Sequence, residues 1–356
     1  MKRFAAERRV FFWEEPIGCD HPLPYLEYHP FPKDNVIALR PRVPHWWSRE
    51  QTEAGLRGLL DMLVATAIPT DPILWFYTPM MLGFAGHLAA DTIVYDCMDE
   101  LSAFAFADPL LIERENELIR VADVMFTGGY SLFEAKRDRH DAIHPFPSAV
   151  DVEHFATARR GLPAPADQAG IEGPKLGFYG VIDERIDLAL IDAVAAGRPD
   201  WQFVMIGPVV KIDPAALPRR ANIHWLGGRS YDELPAYLSG WDVALMPFAI
   251  NAATRFISPT KTPEYLAAGR PVVSTAITDV IRHYGGIEAV AIATDAAGFI
   301  AACERMLAMT PAGAWRAEAD RLLATTSWDR TFAGMTAAIA PRPRAVPAIY
   351  PADCAA

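Results

Sequence analysis

Short apolar runs alternate along this chain with segments of helical periodicity. Ile73 to Tyr77 is one such run, and the segment before it repeats leucines at helical spacing from Leu56 to Leu63. Further apolar runs lie at residues 10–13, 35–39, 92–96, 123–127, 142–146, 174–180, 202–206, 222–226 and 242–246. Strands that alternate with helices at this spacing predict parallel sheets with helices on both faces. We therefore expect an α/β protein built from doubly wound parallel sheets.

The length of the chain predicts two domains, because 356 residues are too many for one comfortable core. The segment 147–168 is rich in Pro, Ala, Gly and charged residues and has little periodicity, which suits a connection between domains. The end of the chain is Pro- and Ala-rich, which predicts disorder. The predicted organisation is a first domain at 1–150, a linker at 151–173, a second domain at 174–326, a final helix at 327–340 and a disordered tail at 341–356.

Charge and cysteine usage narrow the class of protein. The formal net charge of −11 argues against nucleic acid as a general partner, because phosphate backbones bind to basic faces. No apolar run reaches the length of a membrane span, and we find no signal peptide in the sequence. Cys19, Cys97, Cys303 and Cys354 show no metal-binding spacing, which suits a reducing cytosol. We expect a cytoplasmic protein.

Residues 255–275 predict a loop, a short helix and a buried strand. Ser258 and Thr262 are good N-cap residues, and each is followed by a proline suited to the first helical position. Because Pro263 fits poorly inside a helix, we expect the regular turns to begin at Thr262. Gly269 is the predicted left-handed end of the helix, and the β-branched residues after Pro271 predict a parallel strand.

The front of this predicted helix carries groups suited to a nucleotide diphosphate. Free N–H groups and the positive end of the helix dipole attract phosphate, and Lys261 adds a mobile cation. The hydroxyls of Ser258, Thr260 and Thr262 add donors, and the carboxylate of Glu264 suits two neighbouring ribose hydroxyls. The alternative is a capped surface helix whose lysine and glutamate are merely solvated.

This segment resembles the donor-binding segment of GT-B glycosyltransferases, especially the retaining family 4 type and its relatives. The resemblance rests on Pro259, Lys261, Glu264 and the small-residue run into Gly269-Arg-Pro-Val-Val. It implies that Glu264 holds the ribose of a nucleotide sugar. The family pattern has a second glutamate eight positions earlier, where this chain has Phe256.

The resemblance implies two Rossmann-like domains that face each other across a cleft. The first would bind the acceptor, the second would bind the nucleotide sugar, and the helix at 327–340 would cross back towards the first domain. In the relatives, a strand and most of a helix precede the segment that corresponds to Met1–Trp13, and that strand lies in the middle of the sheet. We expect it to be absent from residues 1–356, through either a start site placed too late or an incomplete first domain.

Donor-side residues should lie where parallel strands end, since ligands bind beyond the carboxyl ends of such strands. Arg185, after Gly180, would clamp the diphosphate, or it would pair with Asp183, Glu184 or Asp187. The family has a basic pair near this position, so Lys261 would supply the second charge, with Arg255 or Lys211 as a further candidate. Asn251 and Thr254 would contact the donor sugar, and Gly227, Gly228 and Arg229 resemble the loop that holds the base.

Asp96 and Asp99 are the candidate catalytic carboxylates on the acceptor side, because both follow a predicted strand end. An inverting transfer would use one of them as general base, whereas a retaining transfer would need no such base. We place Asp96 ahead of Asp99 as the candidate general base, because related sequences often have a histidine near the position of Asp96. The alternative is that both cap the next helix. No metal is implied, because Arg, Lys and a helix N-terminus would meet the charge of the leaving group.

The predicted function is a metal-independent glycosyltransferase. It would move a sugar from a UDP- or GDP-sugar to a carbohydrate or lipid-linked acceptor in cell-envelope polysaccharide or glycolipid synthesis, with the nucleotide sugar as co-substrate and no separate cofactor. A membrane-surface or lipid-carrier contact would use the basic-aromatic cluster of Arg40, Arg42, Trp46, Trp47 and Arg49. The alternative for this cluster is a loop whose tryptophans pack into the domain. The other candidates are a nucleotide-sugar epimerase of the same fold and a non-catalytic nucleotide-binding partner protein.

Overall fold

The computed structural model describes residues 1–68, 72–104, 107–310 and 313–339. The first domain contains strands β1 (Val10–Trp13), β2 (Ile17–Cys19), β3 (Tyr25–Phe31), β4 (Val36–Pro44), β5 (Ile73–Phe76), β6 (Thr92–Cys97), β7 (Val124–Thr127) and β8 (Ile143–Pro145). Its helices are α1 (Lys2–Glu7), α2 (Arg49–Ala67), α3 (Leu82–Ala85), α4 (Leu111–Val121) and α5 (Tyr130–Lys136). Helix α2 begins with a capping box formed by Ser48 and Gln51.

The second domain is a six-stranded parallel sheet with helices on both faces. Its strands are β9 (Lys175–Tyr179), β10 (Gln202–Ile206), β11 (Ile223–Gly227), β12 (Val243–Met246), β13 (Val272–Ser274) and β14 (Val290–Ile292). The helices after β8 are α6 (Val152–Ala156), α7 (Ala166–Ala169), α8 (Leu188–Gly197), α9 (Leu234–Ser239), α10 (Lys261–Ala267), α11 (Thr278–Tyr284), α12 (Ala296–Leu307), α13 (Ala314–Leu323) and α14 (Trp328–Ile339). The strand order β11-β10-β9-β12-β13-β14 is that of a doubly wound fold.

The first domain contains two four-stranded sheets. Strands β5, β6, β7 and β8 form a parallel sheet in chain order, whereas β1, β4 and β2 form a second parallel group with β3 antiparallel on β4. We predicted a single strand near Asn35–Leu39 in this region, so the β3–β4 hairpin is a correction. Pro30 and Pro41 concealed it, because proline is rare in central strands. Pro30 lies on the edge strand β3, and Pro41 lies on β4 between the residues that pair with β1 and those that pair with β2.

An open gap separates the two sheets of the first domain. Strands β1 and β5 are edge strands, and no ladder joins them within the described residues. A cavity of about 1630 Å³ lies between them, lined by residues of both edges that include Trp13 and Trp75.

The segment between the domains is ordered and belongs to the second core. Phe155 of α6 and Ala158 are fully buried in the hydrophobic cluster of the second domain. The Gln168 amide donates to the Tyr237 carbonyl and accepts from the Trp241 indole N–H. Single apolar anchors, rather than a repeating pattern, hold this segment, which explains why its sequence shows little periodicity.

Helix α14 packs against the first domain. Arg3 pairs with Asp329 at 2.6 Å, and the rings of Phe4 and Phe332 lie 4.8 Å apart. Met335 and Ile339 pack on the cluster beneath β6, β7 and β8. The predicted tail at 341–356 lies outside the described residues.

Two glycine turns meet at the ends of β9 and β10. Gly180 has φ +146° and Gly207 has φ +151°, and a Cβ on Gly207 would lie 1.7 Å from the Gly180 carbonyl oxygen. We expect Gly207→Ala to lower the free energy of unfolding by more than about 2 kcal/mol, because backbone must move. Urea unfolding measures this loss.

The matched control is Gly58→Ala. Gly58 lies inside α2 with open space around its missing Cβ. This change should raise the free energy of unfolding by about 0.5–1 kcal/mol through helix propensity. An unchanged urea midpoint for Gly207→Ala would contradict the contact between the two turns.

Candidate functional site

The predicted donor-binding segment, residues 255–275, contains a short helix whose first residue is Lys261. Helix α10 begins one residue earlier than predicted, and Thr260 occupies the N-cap position without a side-chain cap bond. The prediction of Ser258 and Thr262 as N-caps is therefore wrong. Thr262 lies inside the first turn, where it is fully buried, and its hydroxyl has no partner in the described part of the chain.

Lys261 extends beneath the glycine turn that ends β9. A Cβ on Gly180 would lie 2.3 Å from Lys261 Cε, so only glycine leaves room for this side chain. The ammonium lies 6.0 Å from the centre of the Phe178 ring, and no ion pair to it occurs among the residues described. Burial lowers the pKa of Lys261. An ammonium in this state gains most from an anionic ligand, since burial without a counter-charge is costly.

Glu264 lies one turn into α10 and is held by a tyrosine from the neighbouring strand. The Tyr179 hydroxyl donates to Glu264 Oε2 at 2.5 Å, and the Tyr179 amide donates to the Tyr265 hydroxyl at 3.2 Å. Burial raises the pKa of Glu264, opposed by the tyrosine hydrogen bond and by Lys261. Sequence reasoning missed Tyr179, whose only signal is its place immediately before Gly180.

Arg185 is held by the carboxylate of Asp183. Arg185 Nε lies 2.9 Å from Asp183 Oδ1 and Nη2 lies 2.7 Å from Oδ2, while Asp183 is only 2% exposed. The predicted alternative of a local pair is therefore present. The pair fixes the guanidinium, whose Nη1 has no hydrogen-bond partner in the described residues. Arg185 thus keeps a donor for a ligand.

The first domain reaches Arg185 through the loop that follows β6. The Arg185 guanidinium lies 5.8 Å from the centre of the Phe104 ring, and the Lys211 ammonium lies 5.3 Å from the same ring. Asp99 acts on Arg185 electrostatically, and each charge favours the ionised form of the other. The structure therefore brings the first-domain loop and the β9 loop together across a cleft.

The remaining donor-side candidates differ in exposure. Thr254 is 1% exposed, and its hydroxyl donates to the Ala249 carbonyl, so it holds the loop together. Asn251 is exposed and accepts from the Thr254 amide. Arg255 is exposed, with its guanidinium 5.0 Å from the ring centre of Phe256.

Ser258 and Thr260 lie in the irregular segment before α10. Thr260 is exposed, whereas Ser258 is half-buried and approaches Gly129 of the first domain. A Cβ on Gly129 would lie 3.0 Å from Ser258 Cβ and 2.4 Å from a carboxylate oxygen of Asp279. Asp279 also accepts from the Ser131 amide, so the two domains touch directly beside the donor segment.

The predicted base-binding loop ends β11. Gly227 has φ +74°, and Gly227 and Gly228 are both exposed. Arg229 donates to the carboxylate of Asp167 and to the Tyr237 hydroxyl, so its charge is already paired. Sequence reasoning missed a stacked aromatic pair beside this loop: the rings of His154 and Tyr231 lie 4.4 Å apart at an angle of 11°.

Asp96 and Asp99 occupy different environments. Asp96 is 3% exposed and accepts from the Trp75 indole N–H at 3.1 Å, and its Oδ1 has no partner in the described segments. Burial raises the pKa of Asp96 to about 7. Asp99 is half-buried, and burial raises its pKa against the opposing charge of Arg185. Of these two carboxylates, Asp99 is the one that interacts with the second domain, through Arg185.

We expect Asp96→Asn to stabilise the protein at about pH 8. The folded pKa of about 7 lies above the ordinary value of 3.8, so the stability that the protonated carboxyl contributes is lost as pH rises through 7. The gain at about pH 8 should reach up to about 4 kcal/mol and should disappear near pH 4. Urea unfolding at both pH values measures this gain in the free energy of unfolding. Equal stability of the two proteins at about pH 8 would contradict the raised pKa of Asp96.

The arginines of the basic-aromatic cluster are paired with carboxylates. Arg40 lies 2.6 Å from Glu14, Arg42 lies 2.9 Å from Glu27, and Arg49 lies 2.6 Å from Asp108. Trp46 is 55% exposed, whereas Trp47 is half-buried and fills the space beside Gly55. Across the described ranges, no helix is long and apolar enough to cross a membrane, and no group of three His, Cys, Asp or Glu residues is placed to hold a metal ion.

Comparisons with known proteins agree with this geometry. Residues 173–309 match the family model described as glycosyl transferases group 1. TuaH of Bacillus subtilis (strain 168), whose name assigns it provisionally as a glycosyltransferase of teichuronic acid biosynthesis, is 27% identical over 295 residues. The match covers 78% of this chain and 74% of TuaH.

The structure is similar to two solved proteins over most of its length. Sucrose-phosphate synthase from Thermosynechococcus elongatus matches with a TM-score of 0.71 and 16% identity, covering 94% of this chain and 89% of that chain. Anabaena HepE, solved in complex with UDP and glucose, matches with a TM-score of 0.63 and 16% identity, covering 86% of this chain and 87% of that chain. At these identities the likeness shows the fold.

Proposed function

We propose that this chain, which is a glycosyltransferase with the GT-B fold, transfers the sugar of a UDP- or GDP-sugar to an acceptor hydroxyl in the cleft between its domains. One observation carries the proposal. The ammonium of Lys261, which has no ion pair among the described residues, lies beneath Gly180 and near the Tyr179-bound carboxylate of Glu264. Arg185 on the same side of the cleft interacts with Asp99 of the first domain.

Lys261 and Arg185 bind the diphosphate in this proposal. Both are cations on the rim formed by the strand ends, and each has donor capacity that the described residues leave unused. As the sugar leaves the diphosphate, negative charge grows on the phosphate oxygens, and fixed cations in a partly dry cleft stabilise that charge. This route needs no metal ion.

Glu264 binds the ribose hydroxyls. Its carboxylate accepts only the Tyr179 hydroxyl within the described segments, so lone pairs remain for two neighbouring hydroxyl groups. The base lies beside Gly227 and Gly228, whose missing side chains leave the backbone open. Arg255, Ser258 and Thr260 are secondary contacts on the exposed approach to the phosphates, while Asn251 and Thr254 shape the loop beside the sugar.

Asp99 receives the acceptor hydroxyl. It lies on the first-domain loop opposite Arg185, whereas Asp96 points into the interior beside Trp75. We therefore place Asp99 ahead of Asp96, reversing the order expected from the resemblance. An acceptor hydroxyl hydrogen-bonded to Asp99 would gain nucleophilicity as the carboxylate takes up its proton.

The acceptor in this proposal is a growing cell-envelope carbohydrate on a lipid carrier. TuaH, which is similar to this chain, carries a name that refers to teichuronic acid biosynthesis. The exposed Trp46 would be the membrane-surface contact, at the cytoplasmic face of the membrane. The paired state of Arg40, Arg42 and Arg49 leaves Trp46 as the principal contact, rather than a basic patch.

Calorimetry followed by a release assay tests the proposed function. UDP and GDP are titrated into the full chain, and the tighter nucleotide selects the donor sugars for the assay. We expect nucleotide release that depends on a carbohydrate acceptor and the appearance of a glycosylated product. Tight binding of a nucleotide with no transfer to any of a panel of envelope acceptors would contradict the proposal.

A further inference from the structure

One loop of the first domain carries Asp99 and Phe104, the two groups that interact with Arg185 of the second domain. This loop, residues 98–104 between β6 and α4, contains Asp99 and Phe104 on either side of a single 3-10 turn. The Leu101 amide donates to the Asp99 carbonyl, and the Ala103 amide donates to the Glu100 carbonyl. These local bonds shape the turn but do not attach it to the rest of the domain.

Lys136, the last residue of α5, lies beneath this loop. Its side chain is 3% exposed, and its ammonium lies 2.8 Å from Glu100 Oε2. The same ammonium lies 2.8 and 2.9 Å from the two carboxylate oxygens of Glu115. A buried lysine of this kind is fixed in one position, because leaving either carboxylate without it would bury an unpaired charge.

The two carboxylates on Lys136 have different surroundings. Glu115 also accepts from the Tyr95 hydroxyl at 2.8 Å and from Arg139 at 3.0 Å, as expected for a residue that holds the domain core together. Glu100 lies on the loop, and its further partner among the described residues is Ser102, two positions along the same loop. Within the described residues, Lys136 is therefore the ionic link between the loop and the rest of the first domain.

We propose that Lys136 is a positioning residue of the transfer reaction, acting through Glu100. By holding Glu100 it fixes the adjacent Asp99 and keeps Phe104 against Arg185 and Lys211. The inference rests on the proposed function, because it takes Asp99 as the acceptor-side carboxylate. Displacement of a reacting group by about 1 Å can cost about a hundredfold in rate, so such a link matters for transfer even where it adds little to folding.

The test compares Glu100→Ala with Arg139→Met. Glu100→Ala removes the loop end of the link and leaves Lys136 paired with Glu115. Arg139→Met removes the other cation from Glu115 and does not touch the loop. We expect Glu100→Ala to lower the kcat of transfer about 10- to 100-fold, with nucleotide Kd and Tm close to wild type.

Arg139→Met should show the opposite pattern, a lower Tm with kcat within about threefold of wild type once folded. Lys136→Met should lose both stability and transfer, and Lys136→Arg should recover most of the kcat because it restores a cation to Glu100. Equal kcat in Glu100→Ala and wild type would overturn the positioning role. The positioning role would also be overturned if the kcat of Glu100→Ala and Arg139→Met fell only in step with their Tm.

Transfer by the wild-type protein distinguishes failure of the positioning role from failure of the proposed function. If it transfers sugar and Glu100→Ala does so equally well, the positioning role is wrong and the proposed function stands. If wild type binds nucleotide but transfers no sugar, the proposed function fails and the positioning role fails with it.

Discussion

Asp99→Asn is expected to lower kcat/KM for transfer at least about a hundredfold, while the Kd for UDP or GDP stays within about threefold of wild type. The substitution keeps the shape of the side chain and removes its ability to take up a proton. Donor binding should persist, because Lys261, Arg185 and Glu264 all belong to the second domain. Initial rates with the natural or a synthetic acceptor, together with calorimetry, measure the two effects separately.

The pH profile provides an independent check on Asp99. Burial raises its pKa above the ordinary value, so the fall of kcat/KM on the acid side should begin at a higher pH than an unperturbed aspartate would give. This acid limb should vanish in Asp99→Asn. Asp138→Asn, an exposed aspartate of the same domain, is the control and should leave rate and profile unchanged. More than a third of wild-type transfer in Asp99→Asn would contradict the assignment.

Lys261→Met should weaken binding of the nucleotide diphosphate about 10- to 100-fold. Charge-assisted hydrogen bonds contribute about 1.5–3 kcal/mol, and each 1.4 kcal/mol is a factor of ten in Kd. The methionine keeps the apolar length of the side chain beneath Gly180, so the fold should survive or become slightly more stable, because the lowered pKa of Lys261 shows that burial disfavours its charge. Calorimetric titration measures the loss.

Arg255→Met is the matched comparison for Lys261. Its guanidinium is exposed and lies over its neighbour Phe256, so a loss of less than about threefold is expected. A nucleoside that lacks phosphates should bind wild type and Lys261→Met equally. If Lys261→Met binds UDP and GDP as well as wild type does, the diphosphate lies elsewhere.

Local spacing was enough to predict the loop, helix and strand of residues 255–275. Lys261, Glu264 and the strand after Pro271 lie within a few residues of one another, and cap types, prolines and β-branched residues report on such short-range structure. The first residue of α10 was misplaced by one position, because Thr260 and Thr262 are equally good cap types. The parallel sheet of the second domain was predictable for the same reason, since its strands are buried on both faces and read as continuous apolar runs.

The partners of these residues could not be found from the sequence. Tyr179 and Glu264 are separated by 85 positions, and only the order of the strands places one beside the other. The relation of Asp99 to Arg185 depends in addition on how the two domains face each other. The β3–β4 hairpin was missed because Pro30 and Pro41 argue against central strands, although the edge strand β3 tolerates Pro30.

The most direct test of the central claim is a crystal structure of the full chain with the nucleotide that calorimetry selects. We predict a phosphate oxygen of the diphosphate about 3 Å from Lys261 Nζ, and the ribose hydroxyls on the carboxylate of Glu264. A nucleotide whose phosphates lie away from Lys261, or whose ribose contacts residues other than Glu264, would contradict the account.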